Sequence, residues 1–439
     1  MTQLEVLCAL DTPEGGANGR PPPLPNGSVP LQYPPSMDIF VSRQPLFDRQ
    51  RHVVAYDLHY RTGRLQAVGG NPDEIARKMV NNTMLGFGLD TLIGGLPGIF
   101  PGSRQFLVED QYQVLPAKQT IIMLPRSVPG DPDVVEACLR AIAAGYQLAL
   151  AAFDPANGHE RLLPHMRYVK ASWLATPVEQ RQALLAHAPR HNLQVVMEHV
   201  GDYAAFGAAT IEGAHLFQGS FFCEPELLTE KDIAVSGIRM AQLVAEVNRP
   251  ELDVDELEKL IKSEVALSLK LLRYLNSAGL GWRHEVTTIG QALRVLGQRP
   301  TRKWASLVAM TMAGDHKPKE LMQTSLLRAQ LCEEIGAMVL GDSRRPELFL
   351  VGLLSTLDAL LDRPMPILLE QMKLGKELTA TLLGDPTPLQ ACLELTIAYD
   401  QGDWNKVDTL CAQLGLDPTI LPVAYHRTVS WVGEVMQAA

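Results

Sequence analysis

Apolar and polar positions change period twice along this chain. From Ile39 short apolar runs alternate with amphipathic stretches. Phe40-Val-Ser, Val53 to Tyr60, Phe106-Leu-Val-Glu, Thr120 to Leu124, Gln147 to Ala152, Tyr168-Val-Lys, Gln194 to Glu198 and His215-Leu-Phe have the length and β-branched content of strands. Helical spacing predicts helices over 72–86, 131–144, from Pro177 onward, and over 202–209. Repeated β-α units imply a parallel sheet with helices outside, and a (β/α)8-type barrel is the natural closure. After Thr229 the strand signal stops. Helices are expected over 233–247, 253–262, 302–312, 321–340, 347–361, 367–374, 388–400 and 425–437.

The sharpest helical signal runs from Glu264 to Gln298. Leu267, Leu271, Leu272 and Leu275 form one apolar face, and Asn276, Ser277 and Gly279 end it. Thr288 and Gln291 then form a capping box for a second helix, whose apolar positions are Ile289, Ala292, Leu293 and Leu296. The expected division is a Pro/Gly-rich disordered tail over 1–36, an α/β barrel over 37–228 and an all-α domain over 229–439. The GGANGRPPPLPNG run of the tail offers too little apolar surface to offset its ordering entropy.

A net charge of -10 argues against a broad nucleic-acid or anionic-membrane face. The six cysteines include no CxxC pair and fit no zinc spacing, which suggests reduced thiols in the cytoplasm. No run of eighteen apolar residues is present, so no membrane span is expected. Other constellations are weak. His187 and His191 are separated by Pro189, which disfavours a ligand-bearing helix, and Asp315-His316 sits in a polar stretch. Gly94-Gly95 and Gly98 lack the Lys-Ser/Thr of a P-loop, and there is no GxSxG elbow. Trp282, Trp304, Trp404 and Trp431 sit among apolar neighbours, as core or interface residues do.

Two parts of the chain carry a family resemblance. Leu271-Leu-Arg-Tyr-Leu-Asn-Ser-Ala followed by Thr287-Thr-Ile-Gly-Gln-Ala-Leu-Arg-Val-Leu-Gly resembles the HDOD domain of bacterial signalling proteins, an all-helical relative of the HD phosphohydrolases. Phe40-Val-Ser-Arg-Gln-Pro-Leu-Phe-Asp-Arg, Val54-Ala-Tyr-Asp-Leu-His-Tyr-Arg and Phe217-Gln-Gly-Ser-Phe-Phe-Cys-Glu-Pro resemble an EAL domain of the kind fused to HDOD. The resemblance implies a domain that hydrolyses cyclic di-GMP with two Mg²⁺ or Mn²⁺ ions held by carboxylates.

Carried over position by position, the resemblance gives Asp57 for the signature Glu and Arg61 for the Arg after it. Val108 takes the place of the metal-binding Asn, Met123 that of the next Glu, and Ala151 and Ala152 that of the Asp pair. Lys170, Glu198 and Gln218 keep the family residue, and Ser172 replaces an Asp. In the helical half Ser355 and Thr356 stand where the His-Asp dyad would be. Mg²⁺ needs hard oxygen ligands and a two-metal centre needs several carboxylates. These replacements predict a chain with no metal and no cofactor, which is not an enzyme, and a pair of domains used for signalling through a protein partner. A cyclic di-GMP receptor touching Arg61, Lys170, Glu198 and Gln218 is the alternative, and residual phosphodiesterase activity a third. Lys170 and Glu198 are expected to form an ion pair inside the barrel mouth.

Overall fold

In the computed structural model, described residues span 39–62, 89–226, 317–372 and 374–438, with 293 and 301 as isolated positions. The tail, the expected helices over 72–86 and 233–312, Trp282, Trp304, Asp315 and His316 lie outside them.

Eight strands close a barrel in chain order: β1 Ile39–Phe47, β2 Val53–Thr62, β3 Gly98–Pro101, β4 Thr120–Leu124, β5 Gln147–Leu150, β6 Tyr168–Ser172, β7 Gln194–Glu198 and β8 Leu216–Gln218. The barrel is not all-parallel as expected. β1 runs antiparallel to both β2 and β8, while β2 to β8 pair in parallel. A tight turn joins β1 directly to β2, with the Asp48 carboxylate accepting from the amides of Gln50 and His52. A connection this short can only reverse the chain.

One further expectation fails. Phe106-Leu-Val-Glu is not a strand, and Val108 does not reach the barrel. Ser103 accepts a hydrogen bond from the Phe106 amide and caps a one-turn helix, α2 (Arg104–Val108), after α1 (Leu89–Ile93). The barrel strand is the preceding Gly-Ile-Phe-Pro, with Pro101 paired in register to Met123.

Helices α3 (Pro132–Ala143), α4 (Val178–His191) and α5 (Tyr203–Glu212) cover the outside, and Asp131 and Asp202 cap the first and last of these. α4 continues through Pro189, contrary to expectation. The proline falls in the last turn, so the backbone hydrogen bond it removes is lost only at the end of the helix. His187 and His191 stack there at 6.4 Å.

The helical part begins with α6 (Lys319–Leu340), its central element. Then follow α7 (Arg345–Leu354), α8 (Leu357–Leu361), α9 (Met365–Met372), α10 (Lys376–Leu382), α11 (Pro388–Asp400), α12 (Trp404–Leu414) and α13 (Leu421–Ala438). The helix expected over 347–361 is split at Ser355-Thr356. The Ser355 hydroxyl donates back to the Gly352 carbonyl, and buried Thr356 pairs with Ser325 of α6. No helix among the described residues is long and apolar enough to cross a membrane.

The two parts share one apolar core. Phe40 of β1 packs on Tyr399 and Trp404 with ring centroids 6.4 and 6.1 Å apart. Gly402 approaches so closely that an added Cβ would lie 2.9 Å from Ser42 Oγ. Polar pairs rim this contact: Tyr56 donates to Glu320 at 2.7 Å, and Arg61 meets Asp408 at 2.7 Å.

Candidate functional site at the barrel mouth

Period-two alternation decides what the strands put inside. One interior layer is apolar: Leu46, Ala55, Ile99, Ile121, Ala149, Val196 and Leu216. Two residues further along each parallel strand, toward its C-terminal end, stand Asp57, Pro101, Met123, Ala151, Glu198 and Gln218. Lys170 joins this second layer from β6, two residues after Tyr168, which packs against the apolar one. Side chains at the C-terminal ends of barrel strands are where such folds carry chemistry. Ala152 is out of step with this layer, Ser172 stands one pleat above it, and Val108 lies on α2.

Lys170 is the centre of the layer. Its Nζ donates to Asp57 Oδ2 at 2.6 Å, Glu198 Oε1 at 2.8 Å and Gln218 Oε1 at 3.0 Å. Asp57 and Lys170 are each 2% exposed. Burial alone pushes the Asp57 carboxyl up, but Lys170 and His59 outweigh it and hold the group well below the usual carboxylate range. Burial likewise works against the Lys170 ammonium, and Asp57 and Glu198 overcome it, so its pKa is raised. The expected ion pair of Lys170 with Glu198 is therefore present, enlarged by Asp57.

The network extends beyond the residues singled out in the sequence. Gln218 Nε2 donates to Gln44 Oε1 at 2.7 Å and to Asp57 Oδ2 at 3.0 Å, and His59 Nε2 lies 3.1 Å from Asp57 Oδ2. Gln44 in turn donates to the Gln401 carbonyl at 2.7 Å, linking the layer to the helical part. His199 adopts φ +62°, an uncommon conformation for a non-glycine residue, and its Nδ1 lies 3.1 Å from Ser172 Oγ. His59 was legible, being two residues from Asp57 on one strand. Gln44 and His199 had no sequence signal beyond their place near strand ends.

Above this layer lies a cavity of about 630 Å³. Gln44, His59, Glu198, His199 and Gln218 line its barrel side. Glu320, Gln323, Arg328 and Asp400 of the helical part form its other wall. Arg61 does not line it. β2 carries Arg61 four residues past Asp57, into the helical part. There it stacks over Phe40 at 4.0 Å and donates to Asp408 Oδ2 and to the Trp404 carbonyl.

A metal pair of the kind the EAL resemblance implies does not fit these donors. Pro101, Met123 and Ala151 offer no side-chain ligand suited to it, and no group of three or more His, Cys, Asp or Glu among the described residues is arranged to hold a metal. Asp57 Oδ1 is a buried acceptor without a partner among these residues, while Oδ2 is committed to Lys170.

The chain was compared with known proteins on sequence and fold. A family model described as the HDOD domain matches residues 238–362. Cyclic di-GMP phosphodiesterase CdgJ of Vibrio cholerae is 30% identical over 384 residues, 86% of this chain and 88% of the relative. This chain belongs to the EAL–HDOD family. Another similar protein, the uncharacterized YuxH of Bacillus subtilis, is 26% identical over 416 residues, 92% of this chain and 100% of the relative. Similar solved structures include the EAL domain of Mycobacterium smegmatis DcpA, 18% identical, covering 41% of this chain and 90% of that one with a TM-score of 0.35. The manganese and cyclic di-GMP complex of Klebsiella pneumoniae BlrP1 is 17% identical, covering 43% and 56%, with a TM-score of 0.34.

These findings correct the expectation that the chain is not an enzyme. An EAL–HDOD relative alignable over most of both chains is named a phosphodiesterase. Counting lost side-chain ligands was too narrow a criterion. It leaves out water and substrate phosphate oxygens, which supply much of the coordination of Mg²⁺, and one of the counted positions, Val108, is not in the barrel.

Proposed function

We propose that this protein works in cyclic di-GMP signalling and takes the dinucleotide into the cavity between the barrel mouth and the helical part. The observation that carries the reading is the relative named a cyclic di-GMP phosphodiesterase, matched over 88% of its length. The site supports it in three ways. The cavity stands at the C-terminal ends of the barrel strands, and its volume of about 630 Å³ suits a ligand of this class. Its floor is a network held by Lys170, so the donors and acceptors facing a ligand are fixed in place before it arrives. Phosphodiester hydrolysis is the activity that the relative's name brings to this reading. The side chains at the mouth supply too few ligands for a metal pair by themselves, so a metal bound there would draw on water and substrate oxygens as well.

The division at residues 228 and 229 and a cytoplasmic location belong to the same proposal. The described barrel residues end at 226, and the five described cysteines are free thiols. Signalling through a protein partner is kept as the downstream step, on family resemblance alone.

The test is incubation of the full chain with cyclic di-GMP, with and without Mg²⁺ or Mn²⁺, followed by chromatography for the linear dinucleotide. Linear product supports the reading with turnover. Cyclic di-GMP that is neither retained by the protein nor converted overturns it.

A further inference from the structure

Arg328 is the least satisfied cation at the cavity. It projects from α6 of the helical part, is 5% exposed, and lines the wall opposite the barrel layer. Its guanidinium has five donors in a planar fork. Among the described residues only Nη2 finds a hydrogen-bond partner, the Cys223 sulfur at 3.8 Å. Among the described residues Nε is buried with no hydrogen-bond partner, and it forms an ion pair with Asp400 Oδ2 at 3.6 Å, longer than a hydrogen bond. Nε is sealed from the cavity as well as from solvent, so the donors that a ligand there could meet are those at the tip of the fork.

The other cavity arginine is not comparable. Arg43 donates to the Leu92 carbonyl at 2.7 Å and to Gln323 Oε1 at 3.2 Å, and lies over the Tyr56 ring at 4.6 Å. Its fork is engaged in holding the two parts together. Arg328 is held loosely by comparison and keeps donors for a ligand.

We infer that Arg328 is an anion anchor: its guanidinium binds a phosphate of the dinucleotide from the helical side of the cavity. The inference rests on the reading that cyclic di-GMP enters there. A planar guanidinium matches the paired oxygens of a phosphate, and the bond strengthens in a water-poor cleft. The helical part is then half of the binding site, and the ligand bridges the two parts.

The experiment is calorimetric titration of cyclic di-GMP into the full chain, as wild type, Arg328→Met, Arg328→Lys and Asp400→Asn. Arg328→Met is expected to bind about 10-fold more weakly or worse, since truncating one partner of a buried charged contact acts at this scale. Arg328→Lys should recover part of the loss, having charge without the fork. Asp400→Asn should bind more tightly, because it releases Arg328 from its carboxylate neighbour. It also tests the inference should Arg328→Met fail to fold. A wild type that does not bind overturns the functional reading and this inference with it. A wild type that binds, with Arg328→Met and Asp400→Asn equal to it, overturns the anchor alone.

Discussion

The Nζ of Lys170 lies 2.6 Å from Oδ2 of Asp57, and both groups are sealed from solvent at the floor of the cavity. The pair joins β6 to β2 across the barrel, and Glu198 and Gln218 extend it to β7 and β8. Lys170 is therefore a structural tie beneath the cavity, holding the residues that line it.

Replacing one partner should be worse than replacing both. Lys170→Met leaves Asp57 buried without its main compensating charge, and should cost about 3–5 kcal/mol in urea unfolding. The double variant Asp57→Asn, Lys170→Met should recover more than half of that. Equal losses for the two would mean that the pair is not coupled.

The same pair sets a pH dependence. The Asp57 pKa is lowered on folding, so its stabilisation is present above the unfolded value of about 3.9 and is lost as pH falls through the lower folded one. The Lys170 pKa is raised, so its stabilisation is present below about 10.4 and is lost as pH rises through the folded value. The stability difference between wild type and the double variant should be flat between about pH 4 and pH 10 and shrink on either side. A steady slope through neutrality would contradict the assignment.

Arg61 should act on domain docking. Its side chain is 2% exposed and its partner Asp408 is 33% exposed. Arg61→Met should cost about 2–5 kcal/mol and raise amide exchange in α12 more than in the strands far from it. Uniform exchange throughout the chain would argue against a local clamp.

Gly402 gives a steric test of the same contact. It holds φ +69°, and a Cβ there would press on Ser42 Oγ at 2.9 Å and His59 Cβ at 3.4 Å. Gly402→Ala should destabilise by at least about 1–2 kcal/mol from backbone conformation alone, with the clash added. Thermal unfolding measures it, and an unchanged midpoint would contradict the close approach.

Short strands with an apolar centre, such as Thr120–Leu124 and Gln194–Glu198, were legible because a short apolar run between helical stretches leaves few other readings. Asp57, Lys170, Glu198 and Gln218 came together as the resemblance placed them. β3 was not legible, since Gly98 and Pro101 read as loop residues, while the apolar Phe106-Leu-Val mimicked a strand until Ser103 capped it as a helix. The resemblance puts Arg61 at the mouth, as the Arg that follows the signature. Only the tertiary structure shows that β2 outruns the barrel and delivers that side chain to Asp408. The role of Arg328 depends on a cavity formed by segments over a hundred residues apart, which no local pattern records.

The most direct test of the cavity as the nucleotide site uses Gly201. It lines the cavity, and a Cβ there would meet open space, so Gly201→Trp places a bulky ring at the cavity wall from a position whose backbone has room for a side chain. Cyclic di-GMP should titrate saturably into the wild type and give no heat with Gly201→Trp, while both unfold at similar temperatures. A wild type that gives no heat, or a Gly201→Trp protein that binds equally well, would contradict the account.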